Sequence, residues 1–234
     1  MSTRVLSAWA LVALVAPSTA CGLIDSDITN FDLALPDKQF TIDASRWGLT
    51  DADQLVNQAC TTDPDPCAAA AQQACAEGTC SAVCDATTST CDLTLFVSLF
   101  NEIDLQTEKP ELQTIQNQPV LDVTVDSIKW EVTANTLNVD TPEMVVYVAP
   151  STVMTPDARA MRVGTVPPVP AGTTRPSTDI TFDPMGKAHL AEFMGDYKTP
   201  FNIIVGSSLL VEQGDVIPAG AVTVRVSVAA HAGI

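Results

Sequence analysis

The chain has 234 residues, of which 46% are hydrophobic and only 17% charged; 28 acidic side chains outweigh 11 basic ones, for a formal net charge of −17. That length suffices for one domain with a real core. The acidity excludes a nucleic-acid partner, whose affinity rests on Lys and Arg neutralising phosphates, and it excludes electrostatic adhesion to anionic lipid.

Met1–Gly22 reads as an export signal. Arg4 is the only charge ahead of Val5–Ala16, twelve residues that are apolar apart from Ser7. A spanning helix needs about 20 residues, so this run suits a cleaved signal rather than a retained anchor. Pro17-Ser18-Thr19-Ala20 breaks the run and Cys21-Gly22 follows. This segment resembles the bacterial lipoprotein precursors, whose motif ends in two small residues before a lipidated cysteine, as in Thr19-Ala20-Cys21. Their position three before the cysteine is usually Leu or similar; here it is Ser18. The resemblance covers this segment alone. It implies a diacylglycerol on the Cys21 thiol, an acylated new amino terminus, and, because Gly22 is not the Asp that marks inner-membrane retention, an outer-membrane location facing the periplasm or the cell surface. Several acyl chains make a stable anchor where one is marginal. Ordinary cleavage after Ala20 is the alternative.

With residues 1–20 removed, 214 of the 234 remain, and loss of Arg4 takes the charge from −17 to −18. Seven cysteines are an odd number. If Cys21 carries lipid, the other six (Cys60, Cys67, Cys75, Cys80, Cys84 and Cys91) can close three disulfides in an oxidising compartment, in any of fifteen pairings. Their spacing includes no Cys-x2-Cys pair and no nearby His, so no metal is expected.

Residues 21–30 form a tether. Asn30–Leu35 and Gln39–Ala44 alternate with period two around Pro36-Asp37, a hairpin-like signal. The character changes at about residue 48. Thr50-Asp51-Ala52-Asp53 is a variant capping box ahead of a short helix over 51–59, and Asp65-Pro66 opens a second helix rich in Ala and Gln. Cys80 and Cys84 share a face if that turn is helical. The span 48–91 thus reads as a small helical insertion stapled by its own disulfides. Leu93–Phe100 suits a strand buried on both faces. Leu121, Val123 and Val125 share one face of a strand, and Ile128, Trp130 and Val132 share another. Met144–Val148 and Ala160–Val166 are further strands, and Val166–Pro176, with four prolines, is a loop. After Asp183-Pro184, Leu190, Phe193, Met194 and Tyr197 trace the apolar stripe of an amphipathic helix. Phe201–Val211 and Ala221–Ala229 close the chain as strands, with Val222, Val224, Val226 and Val228 facing inward.

About eight strands, frequent turns and one helix predict a mainly β fold, an antiparallel β-sandwich over residues 31–234 that carries the cysteine-rich insertion; an immunoglobulin-like order is one form this takes. For chemistry there is little. His189 and His231 lack a visible nucleophile, and His231 sits near a chain end that is commonly frayed. Gly206-Ser207-Ser208 is a kink or bulge, not a nucleophile elbow. Asp63, Asp65, Asp25 and Asp27 lack the twelve-residue calcium loop and read as solvated acids. Trp47 and Trp130 read as core. The expectation is a non-enzymatic binding or accessory module of the cell envelope, without cofactor, held to the membrane by its lipid and joined to an envelope protein. A small-ligand or lipid carrier, with a slot between the sheets lined by Leu93–Phe100 and Phe201–Val211, is the second reading. A carbohydrate- or peptidoglycan-acting enzyme is the third.

Overall fold

The last strand is the ruler against which one sheet is laid. In the computed structural model, which describes residues 30–61, 63–115 and 121–233, β11 (Ala221–Gly233) alternates without a break. Val222, Val224, Val226, Val228, Ala230 and Ala232 all point inward and are buried. β5 (Asp122–Asn135) runs antiparallel along its whole length on one side. On its other side lie β1 (Asn30–Asp32) and β2 (Lys38–Asp43), end to end. β8 (Arg175–Asp179) completes this five-stranded sheet outside β5.

Both flanks of β11 carry excess residues, one on the β1–β2 side and two on the β5 side (Asp126 and Thr133), each absorbed locally. Leu35 N–H donates to Val228 O, whereas Lys38 already stands opposite Val226, so Pro36-Asp37 inserts one residue. Likewise Val125 faces Ala230 and Ser127 faces Ala229, which leaves Asp126 over. A one-residue bulge inverts the parity of everything beyond it. Leu33, Leu35, Phe40 and Ile42 therefore share the core face, and so do Val123, Val125, Ile128, Trp130 and Val132. The expected hairpin at Pro36-Asp37 and the expected change of face after Val125 are thus both corrected. The proline that suggests a turn sits on an edge strand, where its missing N–H is harmless.

The second sheet has six strands in the order β3–β4–β10–β6–β7–β9. They are β3 (Cys80–Asp85), β4 (Thr90–Ile103), β6 (Met144–Pro150), β7 (Met161–Val166), β9 (Thr181–Phe182) and β10 (Phe201–Val211). Every pairing in both sheets is antiparallel. The fold is therefore an antiparallel two-sheet arrangement, with the core between the inner faces and, among the described residues, eleven strands rather than about eight. β10 and β11 lie in different sheets, so the turns at 213–220 cross between layers instead of closing a hairpin. Gly206 causes neither kink nor bulge. It stays in register with Ser98, and a Cβ there would lie 2.6 Å from Pro156 Cγ. The loop expected over 166–176 ends early, because Arg175 and Pro176 belong to β8, an edge strand exposed throughout.

The described residues also form four short α-helices, α1 (Ala52–Val56), α2 (Cys67–Ala74), α3 (Leu105–Glu108) and α4 (Gly186–Gly195), and two 3-10 turns at Ala44–Trp47 and Pro110–Ile115. α4 packs on β5 of one sheet and on β6 and β7 of the other. Leu190, Met194 and Tyr197 are buried there, as the stripe predicts, and Phe193 is half-buried. The helix comes so close that a Cβ on Gly186 would lie 1.8 Å from Val163 O. The capping box at Thr50 does not form: Asp51 makes no side-chain cap, and the Thr50 hydroxyl donates to Gln73 O. Asp65 does cap, accepting from Cys67 N at 2.8 Å and Cys84 N at 3.1 Å.

The disulfides are Cys60–Cys84, Cys67–Cys91 and Cys75–Cys80. Cys80 and Cys84 lie on strand β3, not on a helical turn. β3 pairs with β4, so the cysteine-rich span is sewn into the second sheet as well as stapled within itself. Trp47 fastens it further. Its indole N–H donates to Phe96 O at 2.9 Å, and its own carbonyl accepts from Ala76 N at 2.8 Å.

Two outcomes are expected from this packing. Gly186→Ala should lower the unfolding free energy by about 2–3 kcal/mol, read by chemical denaturation, because backbone cannot yield to the new methyl. Loop-closure entropy ranks the bridges. Replacing both cysteines of Cys60–Cys84, whose separation is 24, should cost about 3–4 kcal/mol, and replacing those of Cys75–Cys80, whose separation is 5, about 2 kcal/mol in the same assay.

Candidate functional site

The two outer faces of the sandwich differ in kind. Outward positions on the first sheet are polar or small: Thr223, Arg225 and Ser227 on β11, beside Lys129, Glu131 and Thr133 on β5. Arg225 reaches Glu131 at 3.4 Å and Asp37 at 3.9 Å, and the Ser227 hydroxyl donates to Asp37. Such a face is adequately satisfied by water.

The second sheet is different. The outward row of β4 reads Asp92, Thr94, Phe96, Ser98, Phe100 and Glu102. Phe96 and Phe100 are 42% and 44% exposed. The run Leu93–Phe100, expected to be buried on both faces, is thus buried on one, through Leu93, Leu95 and Val97. Leu210 of β10, 50% exposed, stands opposite Thr94 and diagonal to Phe96. Met154 is 53% exposed and joins the row, since the Ser98 hydroxyl donates to its carbonyl at 3.3 Å. Val83 of β3, opposite Asp92, extends the surface outward.

A loop fixes one side of this patch. Residues 151–160 fold over β6 and β10, burying Ala149, Val153 and Ile204 as a small second core. Asn202, fully buried on β10, pins the loop by donating to Ser151 O at 3.0 Å and Val153 O at 2.7 Å. Gly206 lets Pro156 seat against the strand. The loop meets β4 at Ser98, and Phe96, Phe100 and Leu210, with Met154 of the loop itself, stay exposed. Single exposed apolar residues are ordinary, but several adjacent ones on one sheet face, rimmed by carboxylates, mark an interaction surface. The rim is formed by Asp92 and Glu102 at the two ends of the β4 row and by Glu212 after β10. Burial, and then the charge of Asp85, holds the Asp92 carboxyl above the usual carboxylate range.

The interior offers no slot among the described residues. The cavities between the sheets measure about 20 Å³, beside Phe40, Met144 and Val205, and about 10 Å³, beside Ile128 and Leu190. Each has room for a single water at most. Leu93–Phe100 and Phe201–Val211, expected to line a slot between the sheets, are hydrogen-bonded neighbours in one sheet, and their inward residues Leu93, Leu95, Val97, Ile203 and Val205 are buried.

Other residues singled out in the sequence are placed as follows. His231 is not frayed: it pairs with Thr124 within the sheet, and its Nδ1 lies 3.1 Å from the Asp126 carboxylate at the bulge. His189 Nδ1 lies 2.9 Å from Arg162 O on the exposed side of α4. These two histidines are held apart on different elements. Trp47 and Trp130 are both buried, so neither offers a ring to a sugar. Asp65 is engaged by two backbone amides. The Sγ atoms of Cys60, Cys67 and Cys84 lie within 4.8 Å of one another, but they are bridge sulfurs rather than thiolates. Cys21, Asp25 and Asp27 lie outside the described residues. Sequence reasoning missed the apolar patch because a continuous apolar run conceals its alternation; the signal was the even spacing of Phe96, Phe100 and Leu210 against inward Leu93, Leu95 and Val97.

No protein-family model matches the chain, and no curated protein matches it.

Asp92 gives the site a pH signature. Its raised pKa means that ionisation is less favourable in the folded than in the unfolded chain, so its contribution is fully present below the unfolded pKa and is lost as pH rises through the folded value. Asp92→Asn should therefore stabilise the protein at about pH 7 and change nothing at about pH 2, as measured by thermal melts across that range.

Proposed function

We propose that this protein is a lipid-anchored accessory subunit of the bacterial outer membrane. It acts by binding rather than catalysis, and the outer face of its six-stranded sheet is covered by another envelope protein. The observation that carries the reading is the patch of Phe96, Phe100, Met154 and Leu210, set on a rigid sheet whose opposite neighbour is polar. Aromatic and Met side chains on a fixed backbone are the usual anchors of an interface.

Charge selects the occupant. The rim is acidic and the mature chain carries −18 after loss of Arg4 from a total of −17. A second copy would set carboxylates against carboxylates, and an anionic bilayer would do the same. The fitting partner is a protein with an apolar centre flanked by Lys and Arg. The tether places it near the membrane. Asn30, where β1 begins, is nine residues along from Cys21, and that length of chain reaches at most about 30 Å.

The test uses the full-length protein in its own membranes. Chemical cross-linking should join it to one envelope protein, and Phe96→Ser with Phe100→Ser should reduce that product at least about tenfold while leaving the melting curve of these exposed positions nearly unchanged. Cys21→Ser should release the protein from the membrane. A cross-link that survives the double substitution contradicts the assigned face; a membrane-bound Cys21→Ser protein contradicts the anchor.

A further inference from the structure

We propose that the cleft between α1 and α2 is a binding site for a neutral sugar, independent of the sheet face described above. The cleft is open to solvent and measures about 210 Å³. Its walls carry Thr50, Asp51, Gln54, Gln58 and Gln73, and its floor is apolar, through Leu55 and Ala74. That volume lies below the range of drug-sized pockets and matches one sugar ring rather than a chain.

The lining defines the chemistry. Three glutamines line the cleft, each able to offer a paired donor and acceptor, which is the pattern that vicinal hydroxyls or an acetamido group satisfy. One carboxylate, Asp51, can accept from two hydroxyls. No Lys or Arg lines the cleft, so an anionic ligand finds no counter-charge.

The site is also prepared in advance. Asp51 adopts a left-handed backbone (φ 55°), a conformation costly for a residue with a Cβ, and its carboxylate does not cap its own helix. It stands at the cleft, with Gln54 Nε2 at 3.5 Å. The two helices are locked together: Thr50 N donates to Ala74 O at 2.9 Å, Leu55 and Val56 are buried, and α2 is bridged through Cys67 at its start and Cys75 at its end. A backbone held in this way spares a weakly binding ligand part of the ordering cost.

The test is saturation-transfer NMR on the disulfide-intact full-length protein with glucose, galactose, N-acetylglucosamine and glucuronate as probes. Saturation should reach at least one of the neutral sugars and should not reach glucuronate. Gln73→Ala and Asp51→Asn should each weaken binding about tenfold, the loss expected for one hydrogen-bonding partner. Gln72→Ala, exposed on the same helix but outside the lining, should bind as the parent does. Absence of transfer to every neutral sugar overturns the proposal. So does equal binding by the Gln73→Ala protein, with circular dichroism confirming that each variant is folded.

Discussion

The unbroken alternation of β11 is the constraint on which the rest depends. Six inward residues from Val222 to Ala232 present one apolar stripe, and every strand beside it must bring its own apolar residues to the same side. Both flanks meet that demand by carrying extra residues, at Pro36-Asp37 and at Asp126 and Thr133. Without these insertions half of each flank would turn its hydrophobic set to water, a loss of several side chains at about 1.5–3 kcal/mol each. The bulge at Asp126 has a second effect: it places a carboxylate against His231 and so secures the end of β11.

The second sheet shows what a buried inner face leaves free. Because its strands are filled on the core side, their outward residues are available for other work. On β6 and β10 the chain covers them itself, with the loop at 151–160 held by the buried amide of Asn202. On β4 and the end of β10 the loop reaches only as far as Ser98, and Phe96, Phe100 and Leu210 stay exposed. One loop thus closes half of an apolar face, and the other half, rimmed by acids, stays exposed. The cysteine-rich span supports this arrangement from the side. Its hairpin strand β3 lengthens the sheet, Trp47 ties it to β4 through Phe96 O, and three bridges hold helices too short and too poor in large apolar residues to persist alone.

Much of this architecture was legible in the sequence, and the exceptions have physical causes. Valine alternation in the last strand, the stripe of α4 and the Asp65 cap all follow local rules that the fold respects. The hairpin at Pro36 was misread because a proline break looks the same whether the chain reverses or merely bulges on an edge. The face of Ile128, Trp130 and Val132 was misread because parity after a bulge depends on the neighbouring strand, which no local window contains. The capping box at Thr50 failed because tertiary contacts with Ala74 and Gln73 claimed that threonine first. The apolar patch was hidden in a run that looked doubly buried. The α1–α2 cleft was invisible because it joins residues some twenty positions apart that only the disulfide-stapled packing brings together.

The central claim is that the β4 face is an interface in the living envelope. The direct measurement is site-specific photo-cross-linking in cells, with a photoreactive aromatic in place of Phe100 and, as a control, in place of Thr223 on the polar face of the other sheet. The account predicts one discrete protein adduct from position 100 and none from position 223. Adducts from both positions alike, or none from position 100, would contradict it.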